Sequence, residues 1–257
     1  MSSRGNASHR SPHTLRSKKI QLAVGAIAVI GLGIILTQTD VMDSGDPSNG
    51  LFPLTIGTTW VYEVQTEMND PDIEKTLTLS VDRKISFAGD TAWIRRSADG
   101  AEYYIRRDKS GIYRVASRTD LEEQATMDPE PRYILKTPLQ VGDTWNGGFT
   151  VPYLIRRPNE FPRDLKHSHK ALMTYKVKAL NQDVEVPYGT YTGCAYVVGE
   201  AAVRIFTDPI NGFNDVPLIS REWYCPKVGL VKFEREEIVP GQFMTGGKVT
   251  YLLNDMR

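Results

Sequence analysis

From Leu51 to the C-terminus, hydrophobic and polar residues alternate in short runs, and no stretch keeps a helical period. "TTWVYEVQT" places Trp60, Tyr62 and Val64 on one face and Val61, Glu63 and Gln65 on the other. "KTLTLSVDRKISF" groups Leu77, Leu79 and Val81 in the same way. "TAWIRRS", "AEYYIRR" and "GIYRVAS" follow, divided by "ADG" and "DKSG", which read as turns between antiparallel neighbours. Beyond an acidic stretch, strand-like runs resume with "KALMTYKVKAL", "TYTGCAYVVGEAAVRIF", "REWYCP", "VGLVKFEREEIV" and "KVTYLLN". Helix is expected only as one turn around residues 121–127. The pattern predicts a mainly β domain over residues 51–257, built as a strongly curved antiparallel sheet or an open barrel or half-barrel.

The N-terminal part follows a different pattern. Residues 20–37, "IQLAVGAIAVIGLGIILT", carry no charge, and Gln21 is the one strongly polar side chain inside the run. That length and composition predict one transmembrane helix. "LTQTD" follows without a small-x-small cleavage pattern, which favours an uncleaved signal anchor, and the absence of a nearby cysteine argues against a lipid-modified one. Arg4, Arg10, Arg16, Lys18 and Lys19 make residues 1–19 a basic tail of charge +5. The chain holds 31 basic and 31 acidic residues, so the remainder is −5. Basic residues before the span, and Asp40, Asp43 and Asp46 after it, predict a cytoplasmic N-terminus, a linker over 38–50 and an extracytoplasmic β domain. The expected location is the bacterial inner membrane, crossed once. An acidic outer domain also argues against nucleic-acid binding.

One octapeptide occurs twice. "PLTIGTTW" begins at Pro53 and "PLQVGDTW" at Pro138, 85 positions later. Each copy combines a φ-fixing proline, same-side aliphatics, a turn glycine and a tryptophan. Each reads as a strand entrance pinned by a buried indole. The copies could mark two similar halves of the sheet. The simpler expectation is a single lead-in device used twice, because "NGGFT" after Trp145 does not resemble "VYEVQ" after Trp60.

Three patterns together carry a family resemblance: the Pro-Leu-x-Val-Gly-x-x-Trp entrance, "VPYGTY" from Val186 and "WYCPKVGLVKFE" from Trp223. The chain resembles a broad group of uncharacterised bacterial secreted or membrane-anchored β domains over most of residues 51–236. The resemblance implies an extracytoplasmic, curved antiparallel sheet or open barrel and assigns no catalytic residue. The chain departs from the group in its anchor and in "TDPINGFNDVPL", which reads as an insertion before Ser220.

Candidate chemistry is sparse. No nucleophile elbow, phosphate loop, zinc-protease helix or Cys-x-x-Cys motif is present, so neither an enzyme nor a cofactor site is expected. His167 and His169 would share a strand face, but no third ligand stands nearby and Lys166 and Lys170 flank them, so no metal is expected. Asp120, Glu122, Glu123, Asp128 and Glu130 read as a solvated loop. Outside the cytoplasm, Cys194 and Cys225 are expected to form one disulfide.

The hairpin "WIRRSADGAEYYIRR" is the best candidate surface. With Asp99 and Gly100 as a two-residue turn, Arg95 pairs with Tyr104, Ile94 with Ile105 and Trp93 with Arg106. One face then alternates guanidinium and aromatic groups, with Arg96 and Tyr103 on the other. The candidate patch is Trp93, Arg95, Arg96, Tyr104, Arg106 and Arg107, either for an anionic partner or as a self-stacked solvent face. Two roles remain open at this stage. The domain could bind an apolar ligand or lipid on its concave side, or serve as a structural accessory subunit of a larger membrane or envelope complex.

Overall fold

The computed structural model describes residues 50–67, 75–155, 169–210, 212–240 and 244–257. The basic tail, the anchor, His167 and the linker before Gly50 lie outside the described residues. Among those described, no helix is long and apolar enough to cross a membrane.

Alternation produces strands throughout. They are β1 (Thr59–Thr66), β2 (Thr76–Phe87), β3 (Asp90–Ser97), β4 (Glu102–Asp108), β5 (Gly111–Arg118), β6 (Thr126–Lys136), β7 (Thr144–Thr150), β8 (Ala171–Val186), β9 (Gly189–Asp208), β10 (Gly212–Cys225), β11 (Gly229–Glu237) and β12 (Gly247–Met256). All belong to one 12-stranded antiparallel sheet in the order β6-β5-β4-β3-β2-β1-β12-β11-β10-β9-β8-β7. The order describes two six-stranded meanders, β1–β6 and β7–β12, joined where β1 pairs with β12. The ends of this order, β6 and β7, meet across a seam. There Arg132 Nε donates to Gly147 O at 3.1 Å, and the Trp145 indole donates to Tyr133 O at 3.1 Å. The sheet is thus nearly closed into a barrel.

The two octapeptides stand at the head of the two meanders, and the likeness extends beyond their eight residues. Gly57 and Gly142 both take positive φ, 91° and 97°. Gly57 N donates to Val81 O at 2.8 Å, and Gly142 N donates to Val177 O at 2.9 Å. Val81 N returns a bond to Thr58 O at 2.9 Å, as Val177 N does to Asp143 O at 3.0 Å. Trp60 pairs with Leu79 and Trp145 with Tyr175. A register shift then follows each valine, between Val81 and Arg83 and between Val177 and Ala179. The repeat marks two equivalent halves, contrary to the simpler expectation. Similarity in the next five side chains was the wrong test, because hydrogen-bond register is what the halves share.

Each tryptophan joins its own half to the other. Trp60 Nε1 donates to Val228 O at 2.7 Å, in the β10–β11 turn. Trp145 reaches Tyr133 in β6. The segment before β1 plugs the barrel end at which odd-numbered strands begin. Its Leu51, Phe52 and Leu54 are buried against Ile105, Ile112, Leu135, Val177 and Tyr224, and Lys227 N donates to Gly50 O at 2.6 Å.

Two expectations are corrected. The helical turn at 121–127 is absent, and β6 begins at Thr126. The acidic stretch is only partly a solvated loop, because Asp128 lies in β6 and accepts from Arg114 Nε at 2.7 Å and Nη2 at 2.6 Å. Residues 207–210 and 212–218, around the expected insertion, belong to the outer end of one long β9–β10 hairpin and the start of β10. That hairpin holds the disulfide: Tyr224 faces Ala195, so the next step outward sets Cys225 opposite Cys194, with Cα atoms 4.1 Å apart.

Candidate functional site

Cross-strand partners share a face, so the pairing decides which side chains enter the barrel. The β3–β4 hairpin forms, but its connection has three residues, Ala98, Asp99 and Gly100, closed by a Ser97 N to Ala101 O bond of 2.9 Å. Gly100 takes φ +91°, which suits the bulged three-residue loop better than a tight two-residue turn. Arg95 therefore pairs with Tyr103 and Trp93 with Ile105. The register differs by one residue from the expected one, and one residue exchanges the faces.

The six residues of the expected patch do not lie together. Trp93 faces inward with Tyr103 and Ile105, packed on the main core cluster, and Arg95 shares their face. Arg107 lies over the Trp93 ring at 5.7 Å. On the opposite face, Tyr104 packs in a separate cluster with Ile94, Val115 and Ala116. Arg106 donates to Phe87 O. Arg96 pairs with Glu102 and is exposed.

Arg95 is the unusual member. Its guanidinium lies over the rings of Phe52 at 4.7 Å and Trp60 at 4.8 Å. Desolvation lowers its pKa from the ordinary arginine value, and the neighbouring hydroxyls of Tyr62, Tyr224 and Tyr103 partly oppose that shift. Arginine stays charged regardless. The side chain is enclosed by protein yet retains some open surface. Tyr103, Tyr175 and Tyr251 share that combination of strong desolvation and partial exposure. Arg95, Tyr103 and Tyr175 thus give the inner side of the barrel an aromatic and cationic character where they border the main core cluster.

A second polar group lies beside Tyr224. The hydroxyl of Tyr224 donates to the Glu222 carboxylate, and Arg235, only 4% exposed, pairs through Nε with Glu237 Oε1 at 2.9 Å. Glu237 in turn accepts from the backbone of Tyr153 and Leu154 at 3.0 and 2.9 Å, which fixes the segment after β7. The ring of Tyr175 occupies space that a side chain at Gly147 or Gly199 would fill, at 2.2 and 2.7 Å. Both glycines therefore make room for the Tyr175 ring.

Burial raises the Glu222 pKa, with the Tyr224 bond the largest opposing influence. The fold thus favours the neutral carboxyl. Its contribution to stability is complete below the ordinary carboxylate pKa and is lost as pH rises through the raised folded value. Glu222→Gln should therefore melt higher than wild type at pH 8, with the gap closing toward pH 4. Melting curves across that range test it; a gap widest at low pH would give Glu222 the opposite role.

Sequence reasoning passed over Tyr175, Ser220, Glu222, Tyr224 and Arg235. A signal existed in "VPLISREWY": Ser220, Glu222 and Tyr224 have the same parity as buried Val216 and Leu218. Polar residues in phase with a buried run point into the interior.

No protein-family model matches the sequence, and no curated protein matches it. Among solved structures, the chain is similar to a candidate lipoprotein of Parabacteroides distasonis, with 14% identity and a TM-score of 0.39 over 80% of this chain and 98% of that one. It is also similar to a candidate exported protein of Bacteroides fragilis with a YmcC-like fold, with 14% identity and a TM-score of 0.35 over 81% of this chain and 99% of that one. Likeness at that level transfers no function.

Proposed function

We propose that this chain is a membrane-anchored, extracytoplasmic β domain of the bacterial envelope that binds an apolar ligand or lipid in its barrel and catalyses no reaction. The aromatic lumen carries this reading, since Trp93, Tyr103, Tyr175 and Tyr251 all face or adjoin inner space and keep open surface. A concave wall of aromatic side chains with a few polar groups is the usual character of a small-molecule site. The basic tail, the uncharged residues 20–37 and the Cys194–Cys225 disulfide support the outside location. The membrane is reached through residues 20–37.

A second reading, the accessory subunit, is favoured by the tip of the β9–β10 hairpin. Ile210 is 89% exposed and Phe213 60%, with Phe206 against Phe213 at 5.4 Å between ring centroids. Large apolar side chains at an exposed tip mark contact surfaces. Purification of the full chain from membranes in mild detergent, with co-purifying lipids and proteins identified, separates the two. One lipid class retained through washing supports the lumen reading. A stoichiometric protein partner, lost on Phe213→Asp, supports the subunit. Preparations free of any enriched lipid class or apolar compound would reject the first reading.

A further inference from the structure

Arg95 carries a charge that the described residues leave uncompensated. Among the described residues no carboxylate lies within ion-pair distance, and Glu222, bonded to Tyr224, forms no pair with it. Its Nε is buried with no hydrogen-bond partner. The rings of Phe52 and Trp60 attract a cation, but they bear no net negative charge and are weak acceptors for an N–H. The Tyr62 hydroxyl hydrogen-bonds the guanidinium but carries no charge. A buried charge without an ionic partner is strongly unfavourable, and native structures retain one where function requires it.

The internal repeat shows that the fold does not require an arginine there. Val81 pairs with Arg95 just before the register shift in β2, and Val177 pairs with Val197 just before the matching shift in β8. Arg95 and Val197 therefore hold equivalent positions, beside Trp60 and Trp145 respectively. In one half the position is an aliphatic side chain, fully buried in the core. In the other it is a guanidinium.

We propose that Arg95 anchors the anionic end of an amphipathic ligand, a single carboxylate or phosphate joined to an apolar body lying in the lumen. This rests on the lumen-binding reading above and adds the charge of the ligand. Tyr103, directly opposite Arg95, supplies a second donor. The neighbouring hydroxyls are committed, because Tyr62 donates to Leu230 O at 2.8 Å and Tyr224 donates to Glu222. Among the described residues no acceptor holds the Tyr103 hydroxyl. One guanidinium edge and one hydroxyl suit a single oxyanion group. Trp93 and Ile105, next along the same face, would meet the apolar body.

The test uses the full chain in nonionic detergent, with photoreactive dodecanoate and the matching dodecanol as probes. Labelling of the peptides that carry Trp93 and Tyr103 is followed against probe concentration. Dodecanoate should half-saturate at a concentration about 10- to 100-fold below dodecanol, as one charge-assisted contact implies. Arg95→Met should bring the two probes to parity while leaving dodecanol labelling unchanged, and Arg95→Lys should keep part of the preference. Inorganic phosphate should compete only weakly, because it lacks the apolar body. Equal labelling by both probes in wild type would overturn the anion anchor and leave the lumen reading standing. No lumen labelling by either probe would overturn both. Ligand-free Arg95→Met should melt no lower than wild type, since Val197 fills the matching position; a clear drop would make Arg95 a structural clamp on Phe52 and Trp60 and reject the proposal.

Discussion

Trp60→Ala and Trp145→Ala should each destabilise the β domain by about 3–5 kcal/mol, the range for removing a large buried aromatic side chain. Both indoles are almost fully buried, at 2% and 4% exposure. Each variant also loses an indole bond to the opposite half, Trp60 to Val228 O and Trp145 to Tyr133 O. The two losses should be of similar size because the two tryptophans occupy equivalent positions. Trp→Phe at either site retains most of the packing and should cost less, leaving roughly 1 kcal/mol for the bond itself. Chemical denaturation of the four variants measures all of this. Wild-type midpoints in both alanine variants would show that the octapeptides do not pin the halves.

Replacing Cys194 and Cys225 together by alanine should remove about 3–4 kcal/mol, as estimated from the chain entropy of closing a loop of 31 residues. The bond joins directly opposed positions at the base of the β9–β10 hairpin. Both half-cystines are fully buried in the cluster that holds Trp60, Tyr62, Val231 and Leu253. Reduction should therefore be slow in the native protein and fast once it unfolds. Peptide mapping without reductant should recover Cys194 linked to Cys225. A double variant with an unchanged denaturation midpoint would assign the whole hairpin's stability to its backbone ladder and side-chain packing.

Ten of the twelve strands can be read directly from alternation, and the two that cannot, β6 and β7, are the ends of the sheet order. Pro129 and Pro131 made β6 look like a loop. Proline removes a donor that a central strand needs, but an edge strand tolerates the loss. Both prolines fall where the β5–β6 register shifts, between Arg114 and Ala116. In β7, "NGGFT" has poor strand propensity, and its Gly147 is there because the Tyr175 ring occupies the space of a side chain. The need for that glycine arises from a residue 28 positions away, since 175 − 147 = 28, and no local window reveals it.

By itself the sequence determined the antiparallel β class, the burial of Trp60 and Trp145 and the pairing of the two cysteines. These depend on side-chain period and on the chemistry of single residue types, both of which are local. Only the tertiary structure decided which way Arg95 points. A strand's two faces differ by one step of register, and that step was set by whether the connection after Ser97 holds two residues or three. The grouping of the inner side chains was likewise invisible locally, because Arg95, Tyr103, Tyr175, Glu222 and Tyr251 come from five different strands that come together only when the sheet curls until β6 meets β7.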